Sequence, residues 1–480
     1  MDDSQKPGLL SGGQVSRREV LKKGLIGAAG LTVLPAVVAA CNTAAATPTA
    51  APTAAPTDVP TTAPATAAPT ATPVAGQLTG KLTLGNNHSD ASDLKGVVAI
   101  NAAFKAATSL DVTTNTVDHG TFQDNINNYL GATPDDVFFW FSGYRMRFFA
   151  DKGLATAIDD SWAKVSSNFT AGFAKSVVGN DGKVYGIPVD YYPWCIFYRK
   201  SLFSDKGYTV PNTWTDLLAL CAKMTTDKLT PFAFGDKDGW PAMGTYDILN
   251  LRLNGYDFHV GLMTGAQKWT DPKVTTVFQT WAKLIPYYTT GYAGLTWQQA
   301  CDTLVRKTAG MYFLGLFMTG EVDTVDTTGA AKKDIDFFPW PFFGNSYDAE
   351  KALDAPIDIV MVSAKSPGLP ADLANAKAYC EFWSKGSTQM MMYQANNGFI
   401  PTASDADTTK LDVLTQKAVQ LVSQAQKITQ FLDRDTRPDF AGANGMQSFL
   451  LDFLGNPSQD LVAFQAKIQS FWDALPTYSG

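Results

Sequence analysis

Trp140 stands near the end of the apolar run Val137–Phe141, and Ser142 and Tyr144 follow it closely. Asn87 and His88 sit in a polar stretch, Asn86-Asn87-His88-Ser89-Asp90. In Gly235-Asp236-Lys237-Asp238-Gly239-Trp240, Asp238 lies two residues from Trp240. Residues of these types suit a neutral ligand with an apolar C–H face and a rim of hydroxyls. Aromatic rings cover the face, and planar Asp, Asn or Arg groups satisfy paired hydroxyls. Each residue also has a plainer use. A Trp is often ordinary core, and Gly-Asp-Lys-Asp-Gly also reads as a turn. A lone His88 caps or faces solvent as readily as it touches a ligand. Trp194 and Trp214 are assigned to packing, and Met390-Met391-Met392 to a core helix.

Catalysis is poorly served. Glycoside hydrolysis needs two carboxylates flanking the scissile bond. Past residue 40 the chain has only Glu321, Glu350 and Glu381, so the pair would draw mostly on Asp. There is no Gly-x-Ser-x-Gly elbow, phosphate loop or His-Glu-x-x-His. Asp236-Lys237-Asp238-Gly239 lacks the remaining acids of a calcium loop. Cys195, Cys221, Cys301 and Cys380 match no zinc spacing. Buried free thiols and one disulfide are both open for them. No enzyme activity, cofactor or metal is expected.

The 480 residues are 45% apolar and only 17% charged, which excludes a disordered chain. Ser16-Arg17-Arg18-Glu19-Val20-Leu21-Lys22 is a twin-arginine pattern, followed by an apolar stretch to Ala40 and then Cys41. This resembles a bacterial lipoprotein signal of the Tat type. By that resemblance Cys41 is the lipidated first residue of the mature chain; Val20 replaces the usual Phe, which leaves Tat and Sec export both open. Residues 42–76 are almost all Ala, Thr and Pro and read as an extended tether of at most about 110 Å. Removing the five basic and three acidic residues of positions 1–40 from totals of 38 and 45 leaves a net charge of −9. With no long basic run, a nucleic-acid partner is disfavoured. No apolar run of 18 or more follows residue 40, which excludes a polytopic membrane protein.

The candidates must be positioned by the elements around them. Gly80–Gly85 alternates as a short strand, 93–107 has helical spacing through Val97, Ile100 and Phe104, and 110–117 reads as a strand. Asp136–Phe141 has the nearly continuous apolar character of a parallel strand covered on both faces. Asn212-Thr213-Trp214-Thr215-Asp216 opens a helix with a capping residue and early negative charge. Residues 459–475 place Leu461, Phe464, Ile468, Phe471 and Leu475 on one helical face. Strands alternating with helices predict α/β layers.

Gly182-Lys183-Val184-Tyr185-Gly186-Ile187-Pro188, then Phe197-Tyr198-Arg199-Lys200, then Pro211-Asn212-Thr213-Trp214-Thr215-Asp216-Leu217 form an ordered series. Pro134-Asp135-Asp136-Val137, Lys307–Met311, Phe338-Pro339-Trp340-Pro341 and Gly398-Phe399-Ile400-Pro401 keep company with it. The series resembles the carbohydrate-binding group of extracellular solute-binding proteins of bacterial ABC importers, the group of the maltose-binding protein. Arg199 and Asp216 replace the usual Asn and Glu. The resemblance covers about 79–475. It implies a two-lobed periplasmic-binding-protein fold of type II with three hinge crossovers, near 188–192, 355–362 and 400–410. The lobes are expected at 77–188 with 362–404, and at 189–361 with 405–480. It further implies sugar captured between the lobes, an ABC permease partner, a monomer, and a place on the outer face of the membrane through the lipid anchor. Trp140 and Phe317 resemble ligand-stacking aromatics, and Asp238 with Trp240 an acid-and-aromatic pair. Asn87, His88, Ser142, Tyr144, Tyr192 and Asn397 complete the implied contacts. Two alternatives stay open: the same fold binding a polyamine or phosphodiester, and a secreted glycoside hydrolase.

Overall fold

The computed structural model of the protein describes residues 78–477. The expected export signal, Cys41 and the tether lie outside the described residues.

Two sheets organise the chain. The first has the order β12-β5-β11-β3-β1-β2, with β4 beside β11. Its strands are β1 (Thr83–Asn86), β2 (Thr113–Thr116), β3 (Val137–Phe141), β4 (Ala155–Thr156), β5 (Gly186–Tyr191), β11 (Ile357–Ser363) and β12 (Ile400–Pro401). The second has the order β7-β8-β6-β9, from β6 (Trp194–Arg199), β7 (Thr230–Ala233), β8 (Ala309–Gly315) and β9 (Ile335–Phe338). A short parallel pair, β10 (Leu353–Asp354) with β13 (Ile428–Thr429), lies apart from both. Helices pack on the sheets, so the expected two-lobed α/β architecture is what the chain forms. Among the described residues no helix is long and apolar enough to cross a membrane.

Local sequence explains the elements that matter here. β3 is buried at all five residues, parallel to β1 and antiparallel to β11. Covered on both faces, it is apolar without alternation. The helix Ala91–Thr108 buries Val97, Ile100 and Phe104, and Phe104 meets Tyr379 and Phe382 edge-on. The helix Trp214–Thr226 starts in a capping box, with Thr213 and Asp216 satisfying each other's backbone N–H groups. The helix Leu461–Ala474 buries Phe464 and Ile468, while Leu461, Phe471 and Leu475 pack half-buried against the core. All four described cysteines are buried free thiols.

The chain passes between the sheets three times: at 192–193, at 355–356, and at 402–412. The β5–β11 ladder pairs Tyr191 with Ile357 and Asp190 with Asp358. Residues 189–191 and 357–361 therefore belong to the first sheet, and the expected breaks at 188/189 and 361/362 fall inside its strands.

Candidate functional site

A part-open cavity of about 640 Å³, mouth included, lies between the lobes. The first lobe contributes the loop after β1, the start of the helix His119–Gly131, and the end of β3. The second contributes the starts of the helices Trp240–Asn254 and Trp297–Val305, the turn after β8, and the segment 431–434.

Rings make most of the wall. Trp140 stacks on Phe141 at 4.7 Å and meets Phe149 edge-on at 5.7 Å. Trp194 stacks on Phe431 at 5.1 Å. Phe317 stands edge-on to Tyr192 at 5.1 Å and to Trp297 at 5.3 Å. Gly315 makes room for it, because a Cβ there would lie 2.4 Å from the Phe317 ring. Asn396 steadies the same turn, donating to Asp93 Oδ1 at 2.9 Å and to the Phe317 carbonyl at 3.1 Å. His88 is held by a reciprocal turn with Asn86, and its ring sits edge-on to Phe139 at 4.7 Å and to Phe399 at 5.6 Å.

Charge enters this wall in pairs that join the lobes. Arg434 bonds Asp358 of β11 at 2.7 Å, and its guanidinium lies 3.7 Å from the centre of the Phe141 ring. Arg145, on the first-lobe helix Tyr144–Asp151, pairs with Asp433 at 2.5 Å. Adjacent residues of one segment thus answer an Asp and an Arg of the opposite lobe. That segment is tied to the second lobe: Leu432 N–H donates to Asp247, and Thr436 Oγ1 to the Met263 carbonyl. Burial, then the Arg434 charge, holds His119 below the usual imidazole range, so it is neutral at neutral pH. Burial, with Asp93 beside it, raises Asp90 to about 6. Behind the wall, Asp190 is fully buried and neither oxygen has a hydrogen-bond partner. Burial and then Asp358 push its pKa well up.

Several buried donors on the wall are unspent. Among the described residues, Trp140 Nε1, Trp194 Nε1 and Arg434 Nε have no hydrogen-bond partner. Buried donors are ordinarily satisfied. Donors left over among aromatic plates can serve a ligand that accepts hydrogen bonds and has an apolar face.

Six expected residues meet at this cavity: Asn87, His88, Trp140, Tyr192, Trp240 and Phe317. Four stand elsewhere. The Ser142 hydroxyl donates to Gln430 at 3.2 Å and its N–H to the Ile357 carbonyl at 3.1 Å, so it ties lobe to hinge. Tyr144 borders a separate groove with Arg147 and Tyr256. Asp238 borders an outer cleft with Asp118 and Asp124. Asn397 donates to Asp412 and accepts from Thr415 on the third passage. Trp194, assigned to packing from the sequence, lies on the wall, whereas Trp214 does pack, against Trp340 and Phe343. Sequence reasoning missed Asp90, Asp93, His119, Gln123, Asp358, Asp433 and Arg434. The dense charge run Asp433-Arg434-Asp435 was a signal that could have found the last pair.

A two-lobed fold with a ring-walled interlobe cavity defines a solute receptor. The chain belongs to the family of bacterial extracellular solute-binding proteins, whose model matches residues 89–385. An uncharacterised ABC transporter extracellular-binding protein of Pyrococcus horikoshii is 25% identical over 62% of this chain. The match spans 65% of that relative's length, just under two thirds. The alpha-glucosides-binding periplasmic protein of Rhizobium meliloti is 23% identical over 78% of this chain and 84% of its own. Among solved structures, the bacterial solute receptor AcbH is 37% identical, with a TM-score of 0.77 over 82% of this chain and 98% of its own. AcbH is described as having an exclusive substrate preference for β-D-galactopyranose.

Proposed function

We propose that this chain is the solute-capturing component of an ABC importer and that its solute is a neutral sugar. The observation that carries this reading is the wall itself: aromatic plates interleaved with the unpartnered N–H groups of Trp140, Trp194 and Arg434. A pyranose presents a C–H face to the rings and hydroxyl oxygens to the donors. The carboxylates of Asp93, Asp358 and Asp433 accept from its O–H groups. Those carboxylates oppose a phosphodiester or an acidic sugar. The relatives named for sugars and the resemblance to AcbH support the same ligand class.

Sugar entry draws the lobes together about the three passages. Contacts made to both lobes favour the closed form, which is a shift of population. Export, lipidation at Cys41 and the tether would hold the receptor at the outer membrane face, beside the permease that takes the sugar. Asn87, His88, Trp140, Tyr192, Trp240 and Phe317 are the expected contacts that serve this reading.

Thermal unfolding tests it against D-galactose, D-glucose, D-xylose, spermidine and a glycerophosphodiester. A ligand at a hundred times its Kd stabilises the folded form by about 2.7 kcal/mol. A sugar of the panel is expected to raise the melting temperature by several degrees. A shift only with spermidine or the phosphodiester would overturn the reading.

A further inference from the structure

The cavity does not end at a closed wall. Beyond it, toward solvent, lies a second cleft of about 850 Å³, mouth included. Two residues border both spaces: Gln123 of the first lobe and Trp240 of the second. Both are held in place. Gln123 lies 2.7 Å from His119 Nε2 through its own Nε2, and Arg145 Nη1 donates to its Oε1 at 3.4 Å. Trp240 follows Gly239, whose φ of +74° lets the chain turn sharply into the helix. Asp236 accepts from Ala242 N–H at 2.8 Å across that turn. The Trp240 ring then leans on Trp194 at 6.0 Å and on Phe317 at 6.0 Å. The two chambers differ in character. The inner one is ring-walled, while the outer one carries Thr121, Asp124, Lys237, Gln447 and Ser448.

We propose that Trp240 and Gln123, one from each lobe, form a partition that ends the inner chamber after one sugar ring and so sets the length of the ligand. The inference rests on the sugar reading above. On this proposal a single pyranose takes the space behind the partition when the lobes close. A second ring linked to it would have to occupy the space of the indole or the carboxamide, and would keep the lobes apart. The polar outer cleft is where that ring would go once the partition is removed.

Calorimetric titration of the wild type, Trp240→Ala and Gln123→Ala tests this. Each is titrated with D-galactose, D-glucose and D-xylose, and with lactose, melibiose, maltose and xylobiose. Wild type is expected to bind one monosaccharide at least 100-fold tighter than disaccharides that carry it at the non-reducing end. Trp240→Ala is expected to narrow that ratio tenfold or more, by losing monosaccharide affinity and gaining disaccharide affinity; Gln123→Ala moves it the same way by less. If Trp240→Ala fails to fold, Trp240→Leu and Gln123→Ala carry the test. An unchanged ratio in folded variants would overturn the partition and leave the sugar reading standing, as would a wild type that binds a disaccharide as tightly as its monosaccharide. A wild type that binds no sugar would overturn both.

Discussion

Trp194 shows how one residue serves packing and binding together. Its ring stacks on Phe431, and its Nε1 has no hydrogen-bond partner among the described residues. An unmet buried donor costs roughly 1–3 kcal/mol. Trp194→Phe keeps most of the ring and removes that donor. Sugar affinity should fall about tenfold, while the melting temperature of the free protein stays level or rises; calorimetry and thermal unfolding read the two. Loss of both together would make Trp194 a packing residue only. Asp358→Asn should act in the opposite sense on stability, since it strips the counter-charge from buried Arg434, at a cost of about 3–5 kcal/mol visible in urea unfolding. At this scale the sequence was legible where chemistry is local. Trp140 could be read because it ends an apolar strand, at the carboxyl end where α/β clefts open. Asp433 and Arg434 show in the sequence only as part of a dense charge run, because their role depends on Arg145 and Asp358, which only the fold brings near. Ser142 and Asn397 read as contacts by position, but the Ser142 hydroxyl is engaged by Gln430 and the Asn397 amide nitrogen by Asp412.

Short elements also meet across the cleft. Asp90, just ahead of the helix Ala91–Thr108, accepts from Gln298 of the second lobe at 2.9 Å. Glu321, on the second-lobe helix Thr319–Val325, is raised to about 7 by burial first, then by Asp90, Asp302 and Asp93. Asp90 itself stands at about 6, with Asp118 adding to the push while Gln298 and His88 oppose it. Parting the lobes would return both carboxyls toward their ordinary values, so closure takes up protons. The closed form is therefore favoured below these values and loses that support as pH rises through them. Sugar affinity should weaken by roughly fourfold between pH 5.5 and 8 from Asp90 alone. Glu321 adds less than its shift suggests, because it is half exposed. Asp90→Asn should flatten the profile, and an affinity independent of pH in the wild type would contradict the linkage. Elements with local signals were legible, such as the Thr213–Asp216 capping box and the face of Leu461–Ala474. The expected lobe breaks at 188/189 and 361/362 fall inside β5 and β11, because both strands are buried throughout and nothing in their composition marks where pairing stops.

The whole molecule is a two-lobed receptor, ahead of which the sequence leads us to propose a signal and a tether. If Cys41 carries the lipid, Cys41→Ser should release the receptor into the medium with its sugar affinity unchanged, as fractionation and calorimetry would show; retention on cells would contradict lipid anchoring. The low charge and the aromatic share of 12% now have a place, since Trp140, Trp194, Trp240 and Trp297 all border one cavity while most other rings are core. The class of fold was legible because its signature strands lie close together in the chain. The shape of the cavity was not, because it is assembled from segments between Asn87 and Arg434. Solute capture turns on whether a single sugar ring closes those segments around itself. A crystal structure of the receptor with the best-binding monosaccharide tests this most directly. The account predicts one pyranose between the lobes, its C–H face on a ring of the wall and its oxygens within hydrogen-bond distance of Trp140 Nε1, Trp194 Nε1 or Arg434 Nε. Sugar bound outside this cavity, or bound in it with all three donors left unpaired, would contradict it.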